Sequence, residues 1–191
     1  MPQSLKDILT RYHLNTKWIL MPLTVHYNFS QRFNAPARKA YQWCTDYTPE
    51  DQALMQEENA TREIHQIAKD VLILTDTYLS KNERTTKQKL VCLYPHQLSW
   101  TSTHITGPNK YSQFLYQIVT EGKARCRLHL TALTLIHDTE AADKKETKKL
   151  AQNLKKTDSE TWKRLAKIME NELKEKCRQK PAATQPKIDV C

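Results

Sequence analysis

The chain has 191 residues, 39% apolar and 27% charged, with a formal net charge of +9. That balance excludes a disordered polymer, and no apolar run nears the roughly 20 residues that cross a bilayer as a helix. Five cysteines, Cys44, Cys92, Cys126, Cys177 and Cys191, are odd in number and widely spaced; this excludes C-x-x-C chemistry and zinc-type spacing and fits reduced thiols in a cytoplasmic protein.

Residues 4–12 place Leu5, Ile8, Leu9 and Tyr12 on one helical face behind Ser4, with Asp7 three residues on. This is a capping-box-like start for a short amphipathic helix, and its internal charges set it apart from a secretory signal. Pro22 ends any helix there. Val25, Tyr27, Phe29 and Phe33 then alternate, which predicts a half-buried strand over 24–34. Pro36 cannot donate to a ladder and stops it. Ala37, Ala40, Tyr41 and Cys44 change the spacing to that of a helix over 37–45. A second helix starts where Thr48 caps, Pro49 takes the first position, and Glu50 and Asp51 favour the positive end.

Six strand-like segments follow, at 60–68, 71–80, 85–94, 97–105, 111–121 and 124–137. Their short connections predict an antiparallel meander. In the last, Cys126, Leu128, Leu130, Ala132 and Ile136 share one face, with Arg125, Arg127, His129 and Thr131 on the other. Only two glycines are present, so tight turns fall largely to Asn, Asp, Pro and Lys.

After Asp138 the period becomes helical. Thr157 and Glu160 form a capping-box pair, and Trp162, Leu165, Ala166, Met169, Leu173 and Cys177 make a stripe at 3.6-residue spacing. The basic run 143–156 is either a separate helix or the front of a longer one, and 179–191 is a tail with no core pattern. Residues 144–191 hold 12 Lys and 2 Arg against 2 Asp and 5 Glu, so most of the positive excess lies here. The plain account is a solvated face with pairs such as Glu170–Lys174 and Glu172–Lys176. Transient contact with an anionic membrane is a second account. Nucleic acid is disfavoured, because 144–156 interleaves no aromatic residue with its lysines.

One strand, two short helices, six meandering strands and a long final helix predict an α+β fold. A curved antiparallel sheet has a concave apolar face that one long amphipathic helix can cover. The two shapes do not fit flush, and the misfit can leave a cavity. The stretch FSQRFNAPARKAYQWCTD, with Ala35-Pro36, Tyr41, Trp43 and Asp46, resembles the start of the helix-grip superfamily: the START-related lipid-transfer, Bet v 1-like and polyketide cyclase/dehydrase proteins grouped as SRPBCC. The resemblance implies a seven-stranded curved sheet with two short helices and a long C-terminal helix. It places the ligand-binding domain at 24–178, with 1–23 as an N-terminal extension, 138–156 as a charged insertion before the final helix at 158–178, and 179–191 as a flexible tail. The implied function is a carrier or sensor for a hydrophobic small molecule or lipid. A polyketide cyclase/dehydratase-like enzyme and an Hsp90-activator-like interaction domain are the alternatives.

Strand parity assigns the inward positions. They are Tyr27, Phe29, Gln31 and Phe33; Leu98, Trp100, Ser102 and His104; Phe114, Tyr116 and Ile118; and Leu128, Leu130 and Ala132. The final helix adds Trp162, Met169 and Leu173. Aromatic walls with a few polar tips suit an apolar ligand carrying one or two hydrogen-bonding groups. Catalysis, if present, falls to His104, Tyr116 or Arg62, whose parity points inward. His65, His129 and His137 lie on separate strands without ligand spacing, so no metal and no cofactor is expected.

Overall fold

The computed structural model describes residues 22–54, 59–80, 83–137 and 143–178. The helix expected at 4–12 and the tail at 179–191 lie outside them. The elements in order are β1 (Leu23–Phe33), α1 (Ala37–Thr45), α2 (Asp51–Leu54), β2 (Ala60–Ala68), β3 (Val71–Ser80), β4 (Glu83–Tyr94), a 3-10 turn (Pro95–Gln97), β5 (Ser99–His104), β6 (Gln113–Thr120), β7 (Cys126–Ile136) and α3 (Lys144–Arg178).

The strands form one curved antiparallel sheet in the order β1-β7-β6-β5-β4-β3-β2. Strands β2 to β7 are a meander, so each pairs with its neighbour in sequence. Strand β1 instead pairs with β7 along its whole length, from Leu23 opposite Ile136 to Phe33 opposite Cys126. Turn chemistry follows the shortage of glycine. Asp70 takes φ 62° between β2 and β3, Leu98 takes 49° and Tyr111 takes 68°. Gly107, at φ 96°, is where glycine is required, because a Cβ there would stand 2.8 Å from Lys87 Cγ.

Ala-Pro ends β1 and begins α1: the Ala40 N–H donates to the Pro36 carbonyl at 3.0 Å. The second helix is a single turn. Thr48 does meet its start, its N–H and hydroxyl donating to the Asp51 carboxylate at 3.1 and 2.9 Å.

Helix α3 differs from expectation. Its cap is Asp143, not Thr157: the Glu146 N–H donates to Asp143 Oδ1 at 2.7 Å and the Asp143 N–H to Glu146 Oε2 at 3.2 Å. Residues 144–156 are therefore the first third of one 35-residue helix rather than a charged insertion before it. Leu150, Ala151 and Leu154 continue its apolar stripe and pack on Val25, Tyr27, Leu130 and Ala132. The anticipated ion pairs along the helix also give way to tertiary bonds. Glu170 accepts from the Asn34 N–H at 2.8 Å and from Asn34 Nδ2, and Glu172 accepts from Trp43 Nε1–H at 2.9 Å. Two glutamates that reach across to the β1–α1 corner thus tie the far end of α3 to α1.

Candidate functional site

Between the concave face and α3 lie two packed clusters. One is built on Phe33, Trp100, Ile118, Leu128, Ala166 and Met169, with Leu173 against it. The other is built on Val25, Tyr27, Leu130 and Ala132, with Phe29 and Phe114 against it. Tyr116 and Trp162 belong to both. Register explains the centre: Trp100 on β5 is directly opposite Tyr116 on β6. Their rings stack at 4.7 Å with planes 2° apart. Trp162 of α3 closes over them at 5.7 Å from Tyr116 and 6.4 Å from Trp100, and Tyr41 of α1 meets Trp100 edge-on at 6.0 Å. Every inward aromatic expected from parity faces this interior. Phe29 and Leu130 also border an open hollow of about 530 Å³ shared with Asn28, Ser30, His129, Thr131 and Lys155.

A row of charges crosses the same concave face. Arg62 on β2 is opposite Asp76 on β3, and Lys89 on β4 is opposite His104 on β5. Asp76 is completely buried. It accepts from Arg62 Nε at 2.7 Å, from Arg62 Nη2 at 3.2 Å and from Lys89 Nζ at 2.6 Å. Arg62 also reaches Asp51 at 3.1 Å. Burial works against the Asp76 carboxylate, but the two cations outweigh it and hold its pKa below the usual carboxylate value. Burial likewise pulls the Lys89 ammonium down, with Asp76 opposing. His104 is pushed down to about 4, chiefly by burial, with Lys89 and Lys87 adding and Asn109 opposing. Its imidazole is neutral at pH 7, tilts against Phe114 at 5.1 Å, and leaves Nδ1 buried without a hydrogen bond.

Burial dominates the titration of Cys44, Tyr47 and Tyr116 and drives each pKa upward. All three are partly buried and pack against the first cluster. On the β1 side of the interior the Tyr27 hydroxyl donates to the Asp158 carboxylate at 2.6 Å. Burial raises the pKa of both groups.

Parity identified Arg62 and His104, but Asp76, Lys89, Asp158, Cys44 and Tyr47 escaped it. Strand β3 is apolar on both parities, so Asp76 had no marked side. One signal existed: Arg62 and Asp76 sit nearly symmetrically about the Lys69-Asp70 turn, which makes them cross-strand partners in any tight hairpin. Among the described residues, no group of three or more His, Cys, Asp or Glu is placed to hold a metal ion. No described helix is long and apolar enough to cross a membrane.

Element order, sheet order and the helix lying across the concave face decide the fold class. The chain has the helix-grip, Bet v 1-like fold. Helix-grip structures of known sequence align over most of its length. The Zhui aromatase/cyclase from Streptomyces sp. R1128 superposes with a TM-score of 0.59 at 14% identity, covering 82% of this chain and 98% of that one. Norcoclaurine synthase from Thalictrum flavum, in complex with dopamine and hydroxybenzaldehyde, gives 0.57 at 12% identity, covering 92% and 94%. The di-domain aromatase/cyclase of the steffimycin pathway gives 0.61 at 11% identity, covering 80% of this chain and 52% of that one. Neither a family model nor a curated protein matches the sequence. At these identities the likeness is one of helix-grip fold.

Proposed function

We propose that the chain binds an apolar small molecule or lipid between its concave sheet and α3, as a carrier or sensor. The observation that carries this reading is the partly exposed Tyr116 and Trp162 pair, set on the same concave face as a buried row of charged groups. The Trp100–Tyr116–Trp162 cluster supplies flat apolar walls. The Arg62–Asp76–Lys89–His104 row supplies a polar end. A ligand with an aromatic or aliphatic body and one hydrogen-bonding group satisfies both. Native mass spectrometry of the purified chain should reveal a bound apolar species. Trp162→Ala should cut uptake of an apolar fluorescent probe about tenfold while the fold persists. Unchanged uptake in a folded variant would refute the site.

A cyclase/dehydratase-like enzyme is the second reading. It is favoured by a buried, neutral His104 placed beside the charged row, which suits a group that exchanges protons with a bound substrate. Two of the similar structures are aromatase/cyclases and one is a synthase. His104, Arg62 and Tyr116 are the residues that would act. Under this reading His104→Ala abolishes turnover of a polyketone-like substrate and leaves its binding within about threefold. Under the carrier reading no turnover is found in either form.

A further inference from the structure

We infer that the end of the fold where α3 begins docks on an anionic lipid bilayer. Strand register brings several segments to that one end. Leu23 is opposite Ile136, Gln113 is opposite Leu133, Lys89 is opposite His104, and Ser80 is opposite Glu83. The β3–β4 hairpin, the β5–β6 loop and the start of α3 therefore share it. His137 Nε2 lies 2.9 Å from the Lys110 carbonyl and ties the end of β7 to the β5–β6 loop.

Large apolar side chains stand out from this end. Leu79 is 54% exposed, Tyr111 is 58% exposed and Ile105 is 38% exposed. Tyr111 leans on His137 at 6.3 Å, and Lys110 Nζ lies 5.6 Å from its ring. An aromatic ring with a lysine beside it suits the headgroup region, where one part of the side chain meets acyl carbon and the other stays wet. The same end carries the exposed Lys144, Lys145, Lys148 and Lys149 of the first turns of α3, and Arg84 on the hairpin. The positive end of the helix dipole adds to them. Among the described residues, the acids at this end include Glu83 on the hairpin, and Asp143 and Glu146, which bond to each other's backbone N–H at the helix start.

The chemistry favours a bilayer over other anions. Leu150, Ala151 and Leu154 are committed to the core, so α3 offers only charge and cannot bury an apolar face of its own. The loops supply the apolar part instead. Nucleic acid and polyanionic sugars would use the lysines but gain little from Leu79 and Ile105. A surface with both parts matches a membrane interface, where lysines are drawn to an anionic leaflet. Docking of this end is independent of what the interior holds.

The test is sedimentation of the full chain with vesicles of phosphatidylcholine alone or mixed with phosphatidylserine. The chain should pellet with the mixed vesicles at low salt, be released as salt rises, and stay in solution with phosphatidylcholine alone. Lys144→Glu with Lys148→Glu should weaken binding by at least about tenfold. Leu79→Ser with Ile105→Ser and Tyr111→Ser should weaken it on the order of tenfold. Lys123→Glu, in the exposed β6–β7 turn at the opposite end, should change nothing. No pelleting at low salt overturns the proposal. So does an equal loss with Lys123→Glu, or heparin binding that matches vesicle binding and ignores the serine substitutions.

Discussion

Asp76 is the residue whose environment is most demanding. A fully buried carboxylate is costly unless every lone pair is engaged. Arg62 engages both of its oxygens and Lys89 a second time one of them. His104 lies on the same face and answers the opposite way: rather than gain a partner it gives up its charge. This has a pH signature. Its pKa in the fold, about 4, lies below the ordinary 6.5, so on acidification the unfolded chain takes up the proton first. The stability that a neutral His104 permits is complete above pH 6.5 and drains away as pH falls toward about 4. The shift corresponds to roughly 3 kcal/mol. Asp76 loses its own contribution only below its usual 3.8, in a lower window. Urea denaturation between pH 7 and pH 4 should therefore show a slope that His104→Gln flattens. An unchanged slope would place the effect elsewhere.

At the scale of elements, α3 does two jobs along one stripe. Its first half covers the Tyr27 side of the sheet through Leu150, Ala151 and Leu154. Its second half closes on Phe33, Ala40 and Tyr41 through Ala166 and Met169. Met169 is fully buried, so Met169→Ala should cost about 2–5 kcal/mol. Asp143→Ala removes only a cap and should cost about 1 kcal/mol. Chemical denaturation that ranked these two in reverse would mean that the helix is held by its first turn and not by its packing. The same helix shows why local reading of termini fails. Thr157 and Glu160 have the spacing of a cap, yet the helix runs through them, because Leu154 and Trp162 on either side both find partners in the core.

The whole molecule is held together by its longest-range pairing, β1 with β7, which joins the two ends of the described domain before α3 is laid across. That topology leaves the interior enclosed on the sheet side by seven strands and on the other by one helix. Under the proposed reading, a ligand that binds only the folded state should raise Tm in proportion to the logarithm of its concentration, by roughly 5–10 °C at about 100 times Kd. A thermal scan against a series of flat apolar compounds would reveal it. A Tm that none of them moves would favour a packed interior.

By itself the sequence determined where strands and helices lie. Alternation at Val25, Tyr27 and Phe33, the Ala35-Pro36 stop and the 3.6-residue stripe from Trp162 to Leu173 are local signals, and each reflects a side chain that must choose core or water. The short turns then made the meander legible, and parity drew Trp100, Tyr116, Leu128 and Leu130 to one face. Only the tertiary structure decided what the charged residues do. Whether Asp76 is a solvated turn neighbour or a buried hub depends on Arg62 and Lys89 arriving from two other strands. Whether Glu170 and Glu172 pair with lysines one turn away or with Asn34 and Trp43 depends on where α1 docks. Hydrophobic burial is written residue by residue, because it is non-directional and needs no particular partner. A buried charge is tolerated only with a particular partner at a particular distance, and that distance exists only once the chain has folded.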